Sequence, residues 1–201
     1  MDNIHEQLRA LLDKERADYR VMEHQAEGRT ELIAKIRGNR IEQAIKSIVV
    51  LIRFGKKETR YCLANVPGDC RIDLNAVRDH FGGTKSAFAP REKAEELSGC
   101  VIGAIPPFSF NQQLPVLADP LIRENEEVVF NAGSLERSIF MKMEDYFRIV
   151  TLHCNNAECF SGGFQRHAEP IHRLRSNKLY VPVLRQLVEH LPGSVKNFSG
   201  R

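Results

Sequence analysis

The sequence predicts an α+β domain with a mixed β-sheet. Strand-like segments outnumber helix-like ones, and the two kinds are interspersed along the chain. Two strand-like segments, "SIVVLIRF" and "TRYCLANV", are separated only by "GKKE" and therefore predict an antiparallel hairpin. Hairpins mixed with helices are typical of an α+β fold and not of a doubly wound parallel sheet.

The first quarter of the chain alternates helix and strand patterns. Residues 4–17 carry apolar side chains at the spacing of one helical face, and residues 19–24 have the pattern of a short strand. A second helix is predicted over 30–38, with Thr30 as its N-cap and Gly38 as its end. Residues 47–54 form an almost continuous β-branched run, which predicts a strand buried on both faces.

Turns and helix ends organise the middle of the chain. "PGD" at 67–69 predicts a turn, because proline presets one dihedral angle and glycine accepts positive φ. Helices are predicted over 73–82, with Asp73 as N-cap, and over 90–99, with a proline near the first turn.

An apolar stretch at 100–102 predicts a strand that leads into "GAIPPF". The glycine and prolines of that segment cannot continue a helix. The segment is therefore either a stiff bend or a shaped loop that holds free N–H groups toward a ligand. The strands "LPVLAD", "EVVFNAG" and "SIFMKM" and a short helix near 144–150 complete the predicted domain.

The composition is that of an ordinary globular protein, with 42% hydrophobic and 27% charged residues. No segment reaches the ~20 apolar residues that span a bilayer, and the N-terminal sequence lacks the apolar core of an export signal. Five cysteines, odd in number and irregularly spaced, suit reduced thiols. We therefore expect a cytoplasmic protein with no membrane partner.

The basic excess of the chain lies in its C-terminal segment. From 159 to 201, seven Lys or Arg residues stand against two acids, a net charge of +5, whereas the whole chain carries +3. Such a segment is either a solvated surface or an attraction for nucleic acid. Residues 172–191 mix apolar and basic residues at partly helical spacing, which predicts a final helix that docks its apolar face and turns its basic residues outward.

Polar residues at the ends of predicted strands are the candidate site. Lys46 begins the most apolar strand, Asp119 follows "PVLA" and Asn131 follows "VVF". Each has a structural alternative, because Lys46 can keep its ammonium in water, Asp119 can start a turn, and the glycine of "NAGS" can belong to a turn. Together with the Gly103 loop, these residues lie at the ends of predicted strands, where functional sites of sheet proteins are commonly found.

Familiar catalytic signatures are missing from the sequence. It holds no G-x-S-x-G, Walker loop, H-E-x-x-H or Rossmann glycine pattern. "HCNNAEC" at 153–159, with His167 and His172, could in principle bind zinc, but the spacings match no zinc module. We expect no metal and no cofactor.

Several motifs follow one another in a specific order: His24, Thr30, "KSIVVL", "YCLANVPGDCRIDL", "ELSGCVIGAIPPF", "PVLAD" and "VVFNAG". In this order the chain resembles, from about 19 to 150, the YbaK/ProX family of aminoacyl-tRNA editing domains, which occur free-standing and inserted in bacterial prolyl-tRNA synthetases. The resemblance implies an α+β fold with a mixed, barrel-like sheet flanked by helices. It also implies hydrolysis of the ester that joins a wrong amino acid to tRNA. Residues 1–150 are thus predicted to form the editing domain, and 151–201 a basic C-terminal extension that is helical.

The resemblance implies roles for individual residues. Those predicted to take part in catalysis are Lys46, Gly103, Ala104 and Asn131. Those predicted to bind the substrate are Met22, His24, Thr30, Ser47, Pro107, Asp119, Gly133 and Ser138. Two departures from the family pattern, Ala104 where a second glycine is frequent and Pro106 where serine often stands, leave the preferred amino acid open.

The implied chemistry needs few side chains. A loop with a glycine for close approach and prolines for a fixed shape can present N–H groups to the ester carbonyl, each worth roughly 3–4 kcal/mol in the transition state. Lys46 would bind the phosphate of the terminal adenosine or orient the ester. We expect the removed amino acid to be small, such as Ala, Ser, Thr or Cys, because apolar pockets discriminate poorly against smaller side chains. tRNA-Pro is one candidate for the tRNA that carries it.

Three functional hypotheses therefore stand after the sequence alone. The first is a free-standing hydrolase of mischarged tRNA, the second a non-catalytic module that binds tRNA or aminoacyl groups, and the third a zinc protein organised by the tail. The predicted partner is tRNA, and an aminoacyl-tRNA synthetase is a second candidate. The residues predicted to contact tRNA are Arg173, Arg175 and Lys178.

Overall fold

Two β-sheets flanked by helices make up the described part of the chain. The computed structural model describes residues 3–153 and 158–159, which belong to one compact unit, Met1–His167. The helices are α1 (Ile4–Lys14), α2 (Thr30–Arg37), α3 (Leu74–Phe81), α4 (Arg91–Ser98) and α5 (Met143–His153). The strands are β1 (Tyr19–Glu23), β2 (Ile45–Phe54), β3 (Glu58–Pro67), β4 (Lys85–Phe88), β5 (Val116–Ala118), β6 (Glu127–Asn131), β7 (Arg137–Lys142) and β8 (Glu158–Cys159). Short 3-10 helices span Ile41–Gln43 and Pro120–Glu124.

The larger sheet is mixed, as the sequence predicts. Its strand order is β4-β2-β3-β5-β8, in which β2 runs antiparallel to β3 and β4 while β3, β5 and β8 are parallel. The smaller sheet, in the order β1-β7-β6, is antiparallel throughout. The predicted α+β class and the predicted β2–β3 hairpin are both confirmed.

The two sheets do not close into a barrel. Within the described residues their link is one isolated parallel bridge, between Ala44 and Val129. The reason is that β4 pairs with the free edge of β2 at residues 50–53, so β6 reaches only the residue that precedes β2. The sheet is therefore mixed as expected, but it is open at this edge.

The core lies on both sides of the β2–β3 hairpin. On one side Val49 and Leu63 pack with Leu8 of α1 and Tyr146 of α5 in the main core. On the other side Val50 and its neighbours pack against α3 in a second cluster. The prediction that this strand is buried on both faces is confirmed, and it explains the continuous apolar run.

Helix ends are where local predictions were most accurate. Gly38 and Gly82 adopt the left-handed conformation, with φ of 72° and 68°, and end α2 and α3. The carboxylate of Asp73 accepts a hydrogen bond of 3.1 Å from the N–H of Ala76 at the start of α3. Thr30, however, is the first residue of α2 and not its N-cap; Glu27 instead accepts from the N–H of Arg29 at 2.8 Å.

The predicted strand at 100–102 is wrong, because this stretch is a turn and loop. The N–H of Ile102 donates to Glu95 Oε1 at 3.1 Å, and the N–H of Ala104 donates to the carbonyl of Val101 at 3.0 Å. The N–H of Ile102 and the carbonyl of Val101 are thus used locally and not in a sheet. Val101 and Ile102 are each 49% exposed, so the apolar run does not mark a core strand.

The described helices include none that is long and apolar enough to cross a membrane. From residue 160 onward the chain lies outside the described residues. The predicted C-terminal helix falls there, and so do Arg173, Arg175 and Lys178.

Candidate active site

A pocket of about 200 Å³ lies where the two sheets meet. The segment after β1, helix α2, the start of β2, the loop that follows α4 and the end of β6 form its walls. Five predicted site residues line it: Thr30, Lys46, Ser47, Gly103 and Asn131. A larger groove of about 640 Å³ lies beside α1 but contains none of the predicted site residues.

Lys46 is a half-buried cation of this pocket. Its Nζ donates a hydrogen bond to the backbone carbonyl of Cys70, which holds the side chain in one direction. Burial lowers the pKa of the Lys46 ammonium, while the charges of Glu31 and Asp69 oppose that effect. The prediction of a lysine at the mouth of a buried strand thus agrees with the geometry, although the ammonium already has one protein partner.

Asn131 ties together two loops that wall the pocket. Its Nδ2 donates to the carbonyl of Glu27 at 3.0 Å and to the carbonyl of Gly103 at 2.8 Å. Its Oδ1 accepts from the hydroxyl of Ser138 at 3.1 Å. Because both amide hydrogens and the oxygen are already used, Asn131 fixes the loops and has no spare donor for a ligand.

Gly103 is required by the approach of these loops. Its φ is +89°, and a Cβ at this position would lie 2.8 Å from the Cα of Gly28. The sequence predicted that Gly103 permits a close approach. In the structure that approach is between two backbone segments, those of Gly28 and Gly103. Ala104 is fully buried, and its carbonyl accepts from the N–H of Gly133 at 3.0 Å.

The loop keeps two backbone donors at the pocket. The N–H of Ala104 is used within the turn, but the N–H groups of Gly103 and Ile105 make no hydrogen bond to any described residue. Both residues line the pocket. Of the three successive N–H groups, the two around Ala104 are thus the ones without a partner among the described residues.

His24 and Ser138 lie behind Asn131 and do not line the pocket. His24 Nε2 is 2.7 Å from Ser138 Oγ, and His24 Nδ1 is 2.8 Å from the carbonyl of Gln25. Ser138 is fully buried. These two residues therefore support the pocket wall through Asn131.

Arg37 is a pocket residue that the sequence reasoning missed. It lines the pocket, is 9% exposed, and donates from Nη1 to Ser138 Oγ at 3.1 Å. Burial lowers the pKa of its guanidinium to about 10. One pattern in the sequence could have predicted it. Thr30, Ile33 and Arg37 are spaced to share a helical face, which places a cation on the apolar face of α2.

The remaining predicted residues lie away from the pocket: Met22, Pro107, Asp119 and Gly133. Met22 packs against a small cluster that contains Ala44 and Val129. The carbonyl of Pro107 accepts from Asn65 at 2.9 Å, and Asp119 Oδ1 accepts from the N–H of Leu121 at the start of a 3-10 helix. Gly133, with φ of +72°, lies against α1, where an added Cβ would be 2.9 Å from the backbone nitrogen of His5.

Comparison with known proteins decides the family. Residues 24–149 match the family model described as the aminoacyl-tRNA editing domain. The chain belongs to this family. The multifunctional Ser/Thr-tRNA deacylase ProXp-y of Escherichia coli (strain K12) is 42% identical over 147 residues, which cover 73% of this chain and 87% of that protein. The prolyl-tRNA editing protein ProX of Acetoanaerobium sticklandii is 24% identical over 150 residues, or 73% of this chain and 90% of that protein.

The fold agrees with this assignment. The crystal structure of a candidate trans-editing enzyme for prolyl tRNA synthetase matches with a TM-score of 0.61 at 23% identity, over 79% of this chain and 96% of that one. The predicted family and α+β class are therefore confirmed. The predicted enzyme class is confirmed with them, because editing of aminoacyl-tRNA is hydrolysis of its ester.

Proposed function

We propose that this protein removes serine or threonine from misacylated tRNA, and that the pocket between the two sheets holds the aminoacyl group. One observation carries the proposal: the small pocket gathers the predicted Lys46, Gly103 and Asn131 in a chain 42% identical to a Ser/Thr-tRNA deacylase. The pocket volume of about 200 Å³ is sufficient for the aminoacyl group of serine or threonine.

The proposed chemistry is attack of water on the ester carbonyl. Negative charge develops on the carbonyl oxygen as the tetrahedral intermediate forms, and the ribose oxygen then leaves. The N–H groups of Gly103 and Ile105 are the donors that stabilise this charge, each by roughly 3–4 kcal/mol, the magnitude of oxyanion donors in other hydrolases. Asn131 and Gly28 act indirectly, because they hold the loop that carries these donors.

Lys46 is proposed to attract the phosphate of the terminal nucleotide. Among the described residues that line the pocket there is no Asp or Glu, whereas Lys46 and Arg37 are both cations. The half-buried position strengthens the attraction, since solvent screens an ammonium less when it is partly buried. Lys46 therefore contributes binding and orientation and is not a nucleophile.

The proposed partner is the tRNA itself, with Arg173, Arg175 and Lys178 as additional phosphate contacts. We place the reaction in the cytoplasm, which is supported by Cys62 and Cys100, two buried thiols that form no disulfide. An aminoacyl-tRNA synthetase remains a predicted partner. The boundary between an editing domain, 1–150, and a basic extension, 151–201, is likewise a proposal.

The test is a deacylation assay of the purified protein on seryl-, threonyl- and alanyl-tRNA, with the Lys46→Met variant beside it. Lys46→Met keeps most of the side-chain stem and should lower kcat/KM about 100-fold or more, the size of other losses of a preorganised electrostatic contact. Lys57→Met, an exposed lysine in the β2–β3 turn, is the matched control and should leave activity unchanged.

Two results would contradict the proposal. Equal activity of Lys46→Met and the wild type would remove the role of this lysine. Binding of charged tRNA without any turnover by the wild type would favour the alternative of a non-catalytic binding module. Circular dichroism of each variant separates loss of chemistry from loss of fold.

A further inference from the structure

Arg37 is a buried cation without an acidic partner among the described residues. The one hydrogen bond that its side chain makes to them goes to the neutral hydroxyl of Ser138, and its Nε has no partner there. Burial alone lowers its pKa, with no neighbouring carboxylate to oppose the shift. A buried charged donor left without an acceptor is strongly unfavourable, so an acceptor supplied by the ligand would be bound well.

Ser47 presents a second unpaired group in the same pocket. Its Oγ is buried and has no hydrogen-bond partner among the described residues, and the residue lines the pocket on strand β2. A single ligand hydroxyl can accept from a guanidinium and donate to a serine oxygen at the same time. The two side chains that line the pocket, a guanidinium that donates and a serine hydroxyl that can accept, have the hydrogen-bonding roles that an alcohol group needs.

The surroundings of the two residues suit a small side chain. Ile33, Ile45 and Ile105 line the same pocket and are at most 7% exposed, which gives an apolar wall for a methyl group. A phosphodiester carries a ribose on each side, so it fits the half-buried Lys46 better than the Arg37 side chain, which is only 9% exposed. The positive charge of Arg37 also has a local counterpart, because the residue stands in the last turn of α2, where the helix dipole favours cations.

We propose that Arg37, together with Ser47, recognises the side-chain hydroxyl of serine or threonine esterified to tRNA. The inference rests on the proposed deacylase function and adds the residues that select its substrate. An amino acid without a hydroxyl, such as alanine, leaves both groups unpaired. Sites built to hydrogen-bond a substrate hydroxyl reject analogues that lack it far more strongly than apolar pockets reject a missing methylene.

The experiment compares kcat/KM for seryl-, threonyl- and alanyl-tRNA made on the same tRNA body. We expect Arg37→Met to lower the ratio of seryl to alanyl activity about 100-fold, and Ser47→Ala to lower it about 10-fold, because each loses a hydroxyl contact that alanine never makes. Arg40→Met, at an exposed arginine that precedes the 3-10 helix Ile41–Gln43, should keep the wild-type ratio. Arg37→Gln, which is neutral but polar, should retain part of the selectivity.

The outcomes separate the inference from the proposed function. If Arg37→Met lowers kcat/KM equally for all three substrates, the residue serves a group common to them. Weaker inhibition of that variant by inorganic phosphate would identify the common group as phosphate. In both cases the inference fails while the deacylase function stands. An unchanged ratio also overturns the inference. A wild type that hydrolyses none of the three substrates overturns both. Should Arg37→Met not fold, Arg37→Gln and Ser47→Ala decide by the same ratio.

Discussion

Asn131 gives the most direct test of how the pocket is held together. Asn131→Ala removes three hydrogen bonds of 2.8–3.1 Å, to Glu27, Gly103 and Ser138, at a side chain that is 8% exposed. At a net ~1 kcal/mol per bond, the free energy of unfolding should fall by about 3 kcal/mol. A domain with an ordinary stability of ~5–15 kcal/mol stays folded after such a loss. Turnover should nevertheless fall at least about tenfold, since the Gly103 loop loses the contact that places its donors.

Asn125 is a matched control for this variant. It is 5% exposed and its Nδ2 donates one hydrogen bond, of 3.0 Å, to the carbonyl of Glu42, away from the pocket lining. Asn125→Ala should cost about 1 kcal/mol and leave deacylation unchanged. Urea denaturation measures the stability of both variants, and single-turnover deacylation measures the chemistry. If Asn131→Ala is no less stable than Asn125→Ala and turns over normally, the clamp assigned to Asn131 does not exist.

Three further predictions concern separate parts of the chain. Gly103→Ala should destabilise the fold by at least about 2 kcal/mol, because the position combines a left-handed φ with a close backbone contact. Gly55→Ala is the control: its φ is +66°, nothing lies within 4 Å of the added Cβ, and the change should cost about 1 kcal/mol. Equal urea midpoints for the two variants would contradict this prediction. Burial raises the pKa of Cys62 to about 12 and of Cys100 to about 11, so both should resist iodoacetamide at pH 8 until the protein unfolds, as peptide mass spectrometry would show. Because the folded state holds these thiol protons more tightly, their contribution to stability should be lost as the pH rises above about 9. Neutralising together the three tail residues predicted to contact tRNA should flatten the slope of log affinity against log salt by about two units, and an unchanged slope would show that the tail is a solvated surface.

Predictions from local chemistry succeeded where the structure is also local. The cap at Asp73, the glycine end at Gly38 and the β2–β3 hairpin depend on neighbouring residues, and all three are present. Strand β4 was missed, because "KSAF" has no strand pattern of its own and pairs only where β2 offers an edge. The false strand at 100–102 has the opposite cause: its apolar run is genuine, but Glu95 takes one of its donors.

Of the twelve residues predicted for the site, five line the pocket, and the sequence did not reveal their contacts. Lys46, Gly103 and Asn131 do line one pocket, as their places at the ends of predicted strands and the family resemblance indicated. That the Asn131 amide is fully used could not be predicted, because its partners come from segments far away in the sequence. Arg37 was missed for a related reason: a basic residue in the last turn of a helix ordinarily stabilises the helix end, and only its tertiary surroundings show that it is buried.

The pairing of β1 with β7 also sets the order in which the site can be assembled during synthesis. His24, next to β1, and Ser138, in β7, are 114 residues apart, whereas the β2–β3 hairpin closes within a few residues. At ~5–20 residues per second, the ribosome needs roughly 6–23 s to add the missing strand after the first has emerged. For most of that interval the nascent chain has Arg37 and Lys46 but lacks Asn131, whose amide contacts the carbonyl of Gly103. A growing chain therefore cannot complete the pocket wall until β7 has left the exit tunnel, and β1 stays without its partner strand for that time, which leaves its backbone groups open to wrong pairing.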